Sequence, residues 1–422
     1  MRRFGAPTLA FAQLIVLVAI AIRPGIASAD LTIYDKDGWS LYTRGLVAAH
    51  YQLMVGDGDP ASMHGVVVGT PISPQGAQDT RDNKITLSRM RSGFVGTQIG
   101  FGINRRISDT VQVESLIAVN VFDVSSNRGQ TLPKAVDVRE AWATARTPYG
   151  SFEFGRMMSI FGSASAAVVL LAHQFALGHP CLAAETTIGC GSSGAGALYP
   201  GFDAQMRYVT PRLAGLELRL AISDPVVGPG YFMSPLPRGD AEINYQLSFG
   251  SSFKLRAIAQ GLAEQLQRVS GPDLRKGNVW GVMGSTILSA GGFALGVGGW
   301  TGAGIGTHVI VEADDAANPL AFDSQGDLRQ FRGFFGNATY VFAGGTAVAA
   351  GGGTTFVRST EADVAMGSGI SVLDQQSEFH VVVTHRIDAL VFTAEYMRWM
   401  TKWYFGEKQN ENFMGVGANY FW

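Results

Sequence analysis

Leu216-Glu217-Leu218-Arg219-Leu220-Ala221-Ile222-Ser223 carries a large aliphatic residue at every second position and a polar or small one between. Side chains of a strand point alternately to its two faces, so this octet has one face suited to lipid and one suited to water. Ala241–Phe249 repeats the period: Ile243, Tyr245, Leu247 and Phe249 oppose Glu242, Asn244, Gln246 and Ser248. Phe253, Leu255 and Ala257 alternate with Lys254 and Arg256, while Phe379, Val381 and Val383 oppose His380, Thr384 and Arg386. A soluble β-sandwich alternates as well, so the surroundings of these strands must decide the class.

Outward from these strands, the connections take turns between two kinds. Short ones are rich in turn residues: 104–109, 147–150, 210–213, 250–252, 290–292, 343–345 and 386–388. Between them lie longer polar stretches near 56–83, 123–135, 161–201, 224–239, 265–277, 301–328, 358–377 and 405–412. Seven turns and eight loops join sixteen strands, an even number with the short-turn, long-loop asymmetry of an antiparallel transmembrane β-barrel. The chain end agrees. Met414, Val416, Ala418, Tyr420 and Trp422 occupy alternate positions, giving the last strand an apolar outer face that ends in an aromatic residue.

Composition narrows the class further. The chain has 422 residues, 54 of them glycine, with 16% charged residues and a formal net charge of −2. That balance argues against a nucleic-acid binder. Arg2 and Arg3, the apolar run Leu9–Ile22 and the small-x-small site Ala27-Ser28-Ala29 read as a secretory signal peptide over 1–29, leaving 30–422 as a single barrel domain. A membrane anchor is the rival reading, but Arg23 closes the run short of the roughly 20 residues a spanning helix needs. No later run approaches that length, so apolar residues spread by alternation must make the membrane surface.

Particular motifs then carry a resemblance. Ile33-Tyr34-Asp35-Lys36-Asp37-Gly38 with Leu41–Val47 and His50-Tyr51 is similar to the first strand of the general porins of Gram-negative outer membranes. Arg91-Ser92-Gly93-Phe94-Val95-Gly96 resembles their second strand, and Arg139-Glu140-Ala141-Trp142 their fourth. Gly150-Ser151-Phe152-Glu153-Phe154-Gly155-Arg156 and Arg207-Tyr208-Val209-Thr210-Pro211 resemble the fifth and sixth. The resemblance implies a homotrimer of sixteen-stranded barrels in outer-membrane lipid. Each is a water-filled channel for small hydrophilic solutes and ions, narrowed by a third loop. It assigns Arg44, Arg91, Arg156 and Arg207 to one wall of the constriction and matches Glu114 to a lumenal carboxylate on the third strand, and Arg89, two residues before Arg91, lies on the same face as Arg91. It implies no cofactor and no enzymatic activity.

The third loop, 161–201, departs from the family. The acidic Pro-Glu-Phe-Gly-Gly type segment is missing, and Glu185 is the only acidic residue between Phe161 and Gly201. In its place stands Ala166-Ala167-Val168-Val169-Leu170-Leu171-Ala172, where Val168, Leu171 and Phe175 also fit one face of a short helix against the inner wall. A positive wall facing an apolar loop predicts a channel less cation-selective than its relatives, or anion-preferring. Cys181 and Cys190, the only cysteines, would meet an oxidising compartment, so a disulfide between them is the default, stabilising by about 3 kcal/mol.

Other motifs carry less. Gly302-Ala303-Gly304-Ile305-Gly306 lacks the strand-to-helix setting and the Lys-Ser/Thr of a phosphate loop. His173 and His179 have no metal-ligand spacing, and Asp57-Gly58-Asp59 reads as a solvated loop. Phe392, Tyr396, Trp399, Trp403, Tyr404 and Phe405 read as an interfacial aromatic belt. The rivals to a diffusion channel are a substrate-selective channel, a barrel-borne lipase and an adhesive barrel. The lipase needs a serine and histidine constellation that the sequence does not offer.

Overall fold

The computed structural model describes residues 30–422 except 59, 61–65, 69–77, 80–82, 122–135, 180–189, 226–233, 251–252, 271–272 and 307–319. The signal peptide, Asp59, loop 123–135, the turn residues Ser251 and Ser252, Cys181 and Glu185 therefore lie outside the described residues. The first part of the chain forms β1 (Leu31–Lys36), β2 (Trp39–Asp57), β3 (Val66–Val68), β4 (Gln78–Asp79), β5 (Lys84–Arg91), β6 (Thr97–Arg106), β7 (Gln112–Val121), β8 (Val136–Thr147) and β9 (Gly150–Met158). Helix α1 (Ser163–His173) follows, then β10 (Phe202–Val209), β11 (Leu216–Ser223), β12 (Arg238–Phe249), β13 (Phe253–Ser270), β14 (Asp273–Ala290) and β15 (Phe293–Ala303). The chain closes with β16 (Gln330–Val341), β17 (Thr346–Arg358), helix α2 (Glu361–Met366), β18 (Ile370–Ile387), β19 (Leu390–Trp403) and β20 (Lys408–Phe421).

Sequential strands pair antiparallel from β6 round to β20, and β20 returns to pair with β2 over Leu46–Gly56. Two barrel positions are each built from two segments. β5 and β6 both pair with one edge of β2, and β1 occupies the other edge below β20. With β3 and β4 confined to the first outer loop, the twenty strands make a closed sixteen-stranded barrel without a free edge. Trp422 seals the seam: its N–H donates to Gly45 O at 3.1 Å, and Gly45 N–H donates to Trp422 O at 3.0 Å.

The expected alternation holds on the outer face, where Leu216, Leu218, Leu220 and Ile222 are all exposed, as lipid contact requires. Four boundaries differ from expectation. The first strand is a hairpin, because Asp37 and Gly38 take φ of 55° and 77° and reverse the chain. The stretch 265–277 is mostly strand: β13 and β14 stay paired as far as Ser270 and Asp273, with Leu266 buried on the inner face. β18 starts at Ile370, inside the expected loop 358–377, because Ile370, Val372 and Leu373 bury themselves beneath the outer loops. β20 likewise starts at Lys408, inside 405–412.

Those outer loops form a packed roof over one side of the barrel. Ile305, Leu320, Phe322, Phe331, Val357, Ile370, Leu373 and Trp403 belong to one buried cluster that also reaches Phe161 and Val168 of the inner loop. Trp403 belongs to this cluster and Trp399 to a second one with Met54 and Phe413; at 0% and 2% exposed, they do not join Phe392 and Tyr396 in the outer belt. Parity explains the correction. Odd positions of β19 face inward and even ones outward.

Candidate functional site

The loop between β9 and β10 folds inside the barrel. Its Ala- and Leu-rich run forms α1, a composition with high helix propensity, entered through Gly162 at a φ of 90°. The helix lies against the inner faces of β13–β18 and is apolar nearly all round, as a helix buried in this way must be. The wall beneath it lacks side-chain bulk. A Cβ at Gly296 would come within 2.9 Å of Val168 and Leu171, and one at Gly353 within 2.4 Å of Ala195 O. Glycine here makes room for the helix.

The wall also supplies the polar partners that the end of a helix lacks. Asn337 Nδ2 donates to Val168 O at 3.1 Å and Thr339 Oγ1 to Leu171 O at 2.7 Å. Thr393 Oγ1 and Asn419 Nδ2 both donate to Phe175 O, at 2.6 and 3.0 Å. One turn on, the buried Glu395 carboxylate accepts the Leu177 and Gly178 N–H groups at 3.0 and 3.1 Å, and Gln52 Nε2 donates to Gly178 O at 2.8 Å. Farther along, Gly196 N–H donates to Thr355 Oγ1 at 2.8 Å, and Trp300 Nε1 donates to Gly196 O at 2.6 Å. Six strands therefore contribute side chains to hold one loop.

His173, at the end of α1, meets the wall edge to face, its ring 4.3 Å from that of His380. Burial, and secondarily the neighbouring His380, pushes the His173 imidazole well below its ordinary value. His380 is itself held between the Glu378 carboxylate and the Asn337 amide: its Nδ1 lies 2.9 Å from Glu378 Oε2 and its Nε2 2.6 Å from Asn337 Oδ1. The two feet of the loop are joined at its base. Ser159 Oγ donates to the Asp203 carboxylate, and the fully buried Arg238 bonds both, Nη2 lying 3.0 Å from Ser159 Oγ and 2.7 Å from Asp203 Oδ2. Asp240 completes this cluster through Arg238 Nε at 3.0 Å.

Across the lumen, β7–β13 present a different surface, in which arginines and carboxylates interleave. Arg146 pairs with Glu114 at 2.6 Å, and Glu114 also accepts the Tyr42 hydroxyl at 2.7 Å. Arg44 reaches Glu140 at 3.4 Å, and Arg207 pairs with Glu153 at 3.2 Å. Arg219 lies 2.8 Å from Glu217 and 3.6 Å from Glu242. Arg256 bonds Asn244 Oδ1 at 3.4 Å.

Of the residues singled out from the sequence, Arg44, Glu114 and Arg207 stand in this ladder. Arg89 and Arg91 share the inner face with Gln52 and His50 through the β2–β5 register, but at 8% and 2% exposure they are packed into the wall and do not face open water. Arg156 pairs with Ala141 and Ala204 and so shares a face with the exposed Phe152 and Phe154, opposite to that of Glu153. Its guanidinium lies 3.3 Å from Asp137. Cys190 is disulfide-bonded, and no described cysteine is free, while its assigned partner Cys181 lies outside the described residues, as does Glu185. Sequence reading missed Glu140, Glu153, Arg219, Glu242 and Arg256. Strand parity was the signal that could have found them, since each sits on the polar face of an alternating stretch.

A closed barrel with a polar lumen and a loop folded inside it defines a channel protein of the outer-membrane type. The family model for Gram-negative porins matches residues 14–422, and the chain belongs to that family. It is accordingly an outer-membrane channel for passive diffusion of small hydrophilic solutes and ions, and not an enzyme. No curated protein sequence matches it. Among solved structures, the outer membrane channel DcaP of Acinetobacter baumannii is 14% identical, with a TM-score of 0.66 over 93% of this chain and 100% of that one. The anion-selective porin from Comamonas acidovorans is 10% identical, with a TM-score of 0.59 over 91% and 100%. OmpT of Vibrio cholerae in its trimer form is 13% identical, with a TM-score of 0.52 over 92% and 100%.

Proposed function

We propose that this porin is a homotrimer whose lumen favours anions over cations. The observation that carries the preference is the unequal exposure within the ladder. The Arg146 side chain is 47% exposed against 17% for Glu114, Arg44 39% against 25% for Glu140, and Arg219 28% against 1% for Glu242. Arg207 and Glu153 reverse the order, at 11% and 25%. On balance, solutes in the lumen meet guanidinium groups while several carboxylates stand behind them. Arginine stays charged at every working pH, and low-dielectric walls strengthen its field across a narrow aqueous neck. The apolar face of α1 offers no compensating acid. The trimer form of the similar Vibrio cholerae protein supports the proposed assembly.

Reversal potentials in a planar bilayer under a salt gradient test the preference. Anion preference is expected, and Arg219→Gln with Arg256→Gln should move the reversal potential toward cations. Cation preference in the unaltered channel would refute the reading. Light scattering of the detergent-solubilised protein tests the trimer, which a monomer mass would exclude.

A further inference from the structure

Above the lipid-facing belt, the barrel carries a groove that the channel function does not use. On β16 the outward positions run Tyr340, Ala338, Gly336, Phe334, Arg332 and Gln330, and on β17 they include Val348, Phe356 and Arg358. Exposed Phe334 ends the apolar stretch of β16, and Arg332 is the next outward residue. Register places Arg332 beside Phe356 and Thr301, and Arg358 beside Gln330. The Arg332 guanidinium lies 5.2 Å over the Phe356 ring, so its head is set at the top of the aromatic belt. Helix α2 and Tyr404 lean over these residues and close a groove of 1020 Å³.

The groove's chemistry is amphipathic and cationic. Both arginines are exposed, and neither has a carboxylate within 4 Å among the described residues. The acids along the groove are Glu361, at the start of α2, and Asp374, which Lys402 already engages at 2.6 Å. Phe356, Val364 and Ala365 supply the apolar lining. Two free guanidinium groups at the height where an aromatic belt gives way to headgroups, with apolar surface directly below, match a lipid whose headgroup carries phosphate. A soluble anion would gain nothing from the belt beneath.

We propose that this groove binds the phosphorylated headgroup of an outer-leaflet lipid, with Arg332 and Arg358 as the phosphate ligands and its acyl chains on the face of Phe334 and Phe356. The test is titration of the full-length protein in detergent with diphosphoryl lipid A, followed by native mass spectrometry. Dephosphorylated lipid A and inorganic phosphate serve as comparison ligands. Arg332→Gln with Arg358→Gln should weaken diphosphoryl lipid A about 30-fold, at roughly 1 kcal/mol for each basic residue, and leave conductance unchanged. The corresponding Lys pair should stay within about 3-fold, because lysine keeps the charge and loses only the two-pronged geometry. Ala365→Trp, which narrows the groove without altering charge, should also weaken binding. Unchanged affinity in the Gln pair would overturn the proposal, as would equal binding of the dephosphorylated lipid. Inorganic phosphate binding as tightly as the lipid would overturn it too, since the site would then read phosphate alone.

Discussion

The two sides of the lumen solve opposite problems. The wall of β7–β13 fills its inner face with long charged side chains that pair with each other and stand in water. The wall of β14–β18 removes side chains, leaving glycines such as Gly296 and Gly353, and the loop occupies the vacated space. A loop can come to rest only where it buries apolar surface and finds partners for its backbone. The bare wall offers both; the charged wall offers anchors only at its β12–β13 end, through Arg238 and Gln260, because covering the rest would strip water from paired guanidinium and carboxylate groups. The narrowing of the channel therefore follows from where bulk is missing as much as from where charge is present.

The strongest way to break this division is at the base, where Arg238 joins the two feet of the loop. Arg238→Ala would strand the Asp203 and Asp240 carboxylates, at a cost of about 3–5 kcal/mol. A lower midpoint of thermal unfolding in detergent, together with altered single-channel conductance, is expected. Next in size is filling the bare wall. Gly353→Val has no room beside Ala195 O and should cost about 1–3 kcal/mol while displacing the loop. Gly344→Val, where a Cβ meets nothing within 4 Å, should leave both stability and conductance unchanged.

Acidification tests the same seat from the side of charge. His173 is held neutral by burial, so its contribution to docking is complete above its ordinary value near 6.5 and declines as pH falls below it, when only the unfolded form gains the proton. Protection of the α1 amides from hydrogen exchange, relative to the intrinsic rate at each pH, should fall between pH 7 and pH 5, and His173→Asn should flatten that dependence. The smallest effect is expected in the roof, where Asp363 caps α2 and binds Arg329 through two bonds of 2.7 and 2.8 Å. Burial alone would raise this carboxyl, but the Arg329 bonds and charge outweigh it and hold it below the usual aspartate value. Its contribution is thus present above the unfolded value, near 3.9, and lost as pH falls through the lower folded one. Protection in 359–369, relative to the intrinsic exchange rate at each pH, should therefore hold at pH 5 and fall below about pH 4, and Asp363→Asn should abolish that step.

Much of the fold was legible because lipid and water impose a period of two on every strand. Leu216–Ser223 could be assigned its faces from eight residues, and the same parity would have moved Trp399 and Trp403 inward had it been applied to them. Strand ends were less legible. Ile370-Ser371-Val372-Leu373 is buried on both faces, and it continues β18 because β3 pairs with it and outer-loop residues such as Leu320 and Phe322 pack on it. For the arginines, residue type and motif predicted a row, whereas register separated Arg44 and Arg207 in the ladder from Arg156 on the opposite face.

Taken alone, the residues determined the barrel, its strand number and the helical propensity of Ala166–Ala172, since these depend on local period and composition. Only the tertiary structure decided where that helix lies and which arginines meet water. Both depend on pairs far apart in the chain, such as Asn337 with Val168 and Arg219 with Glu242. A side chain's face follows from its neighbours in sequence, but its exposure follows from what the rest of the chain lays over it.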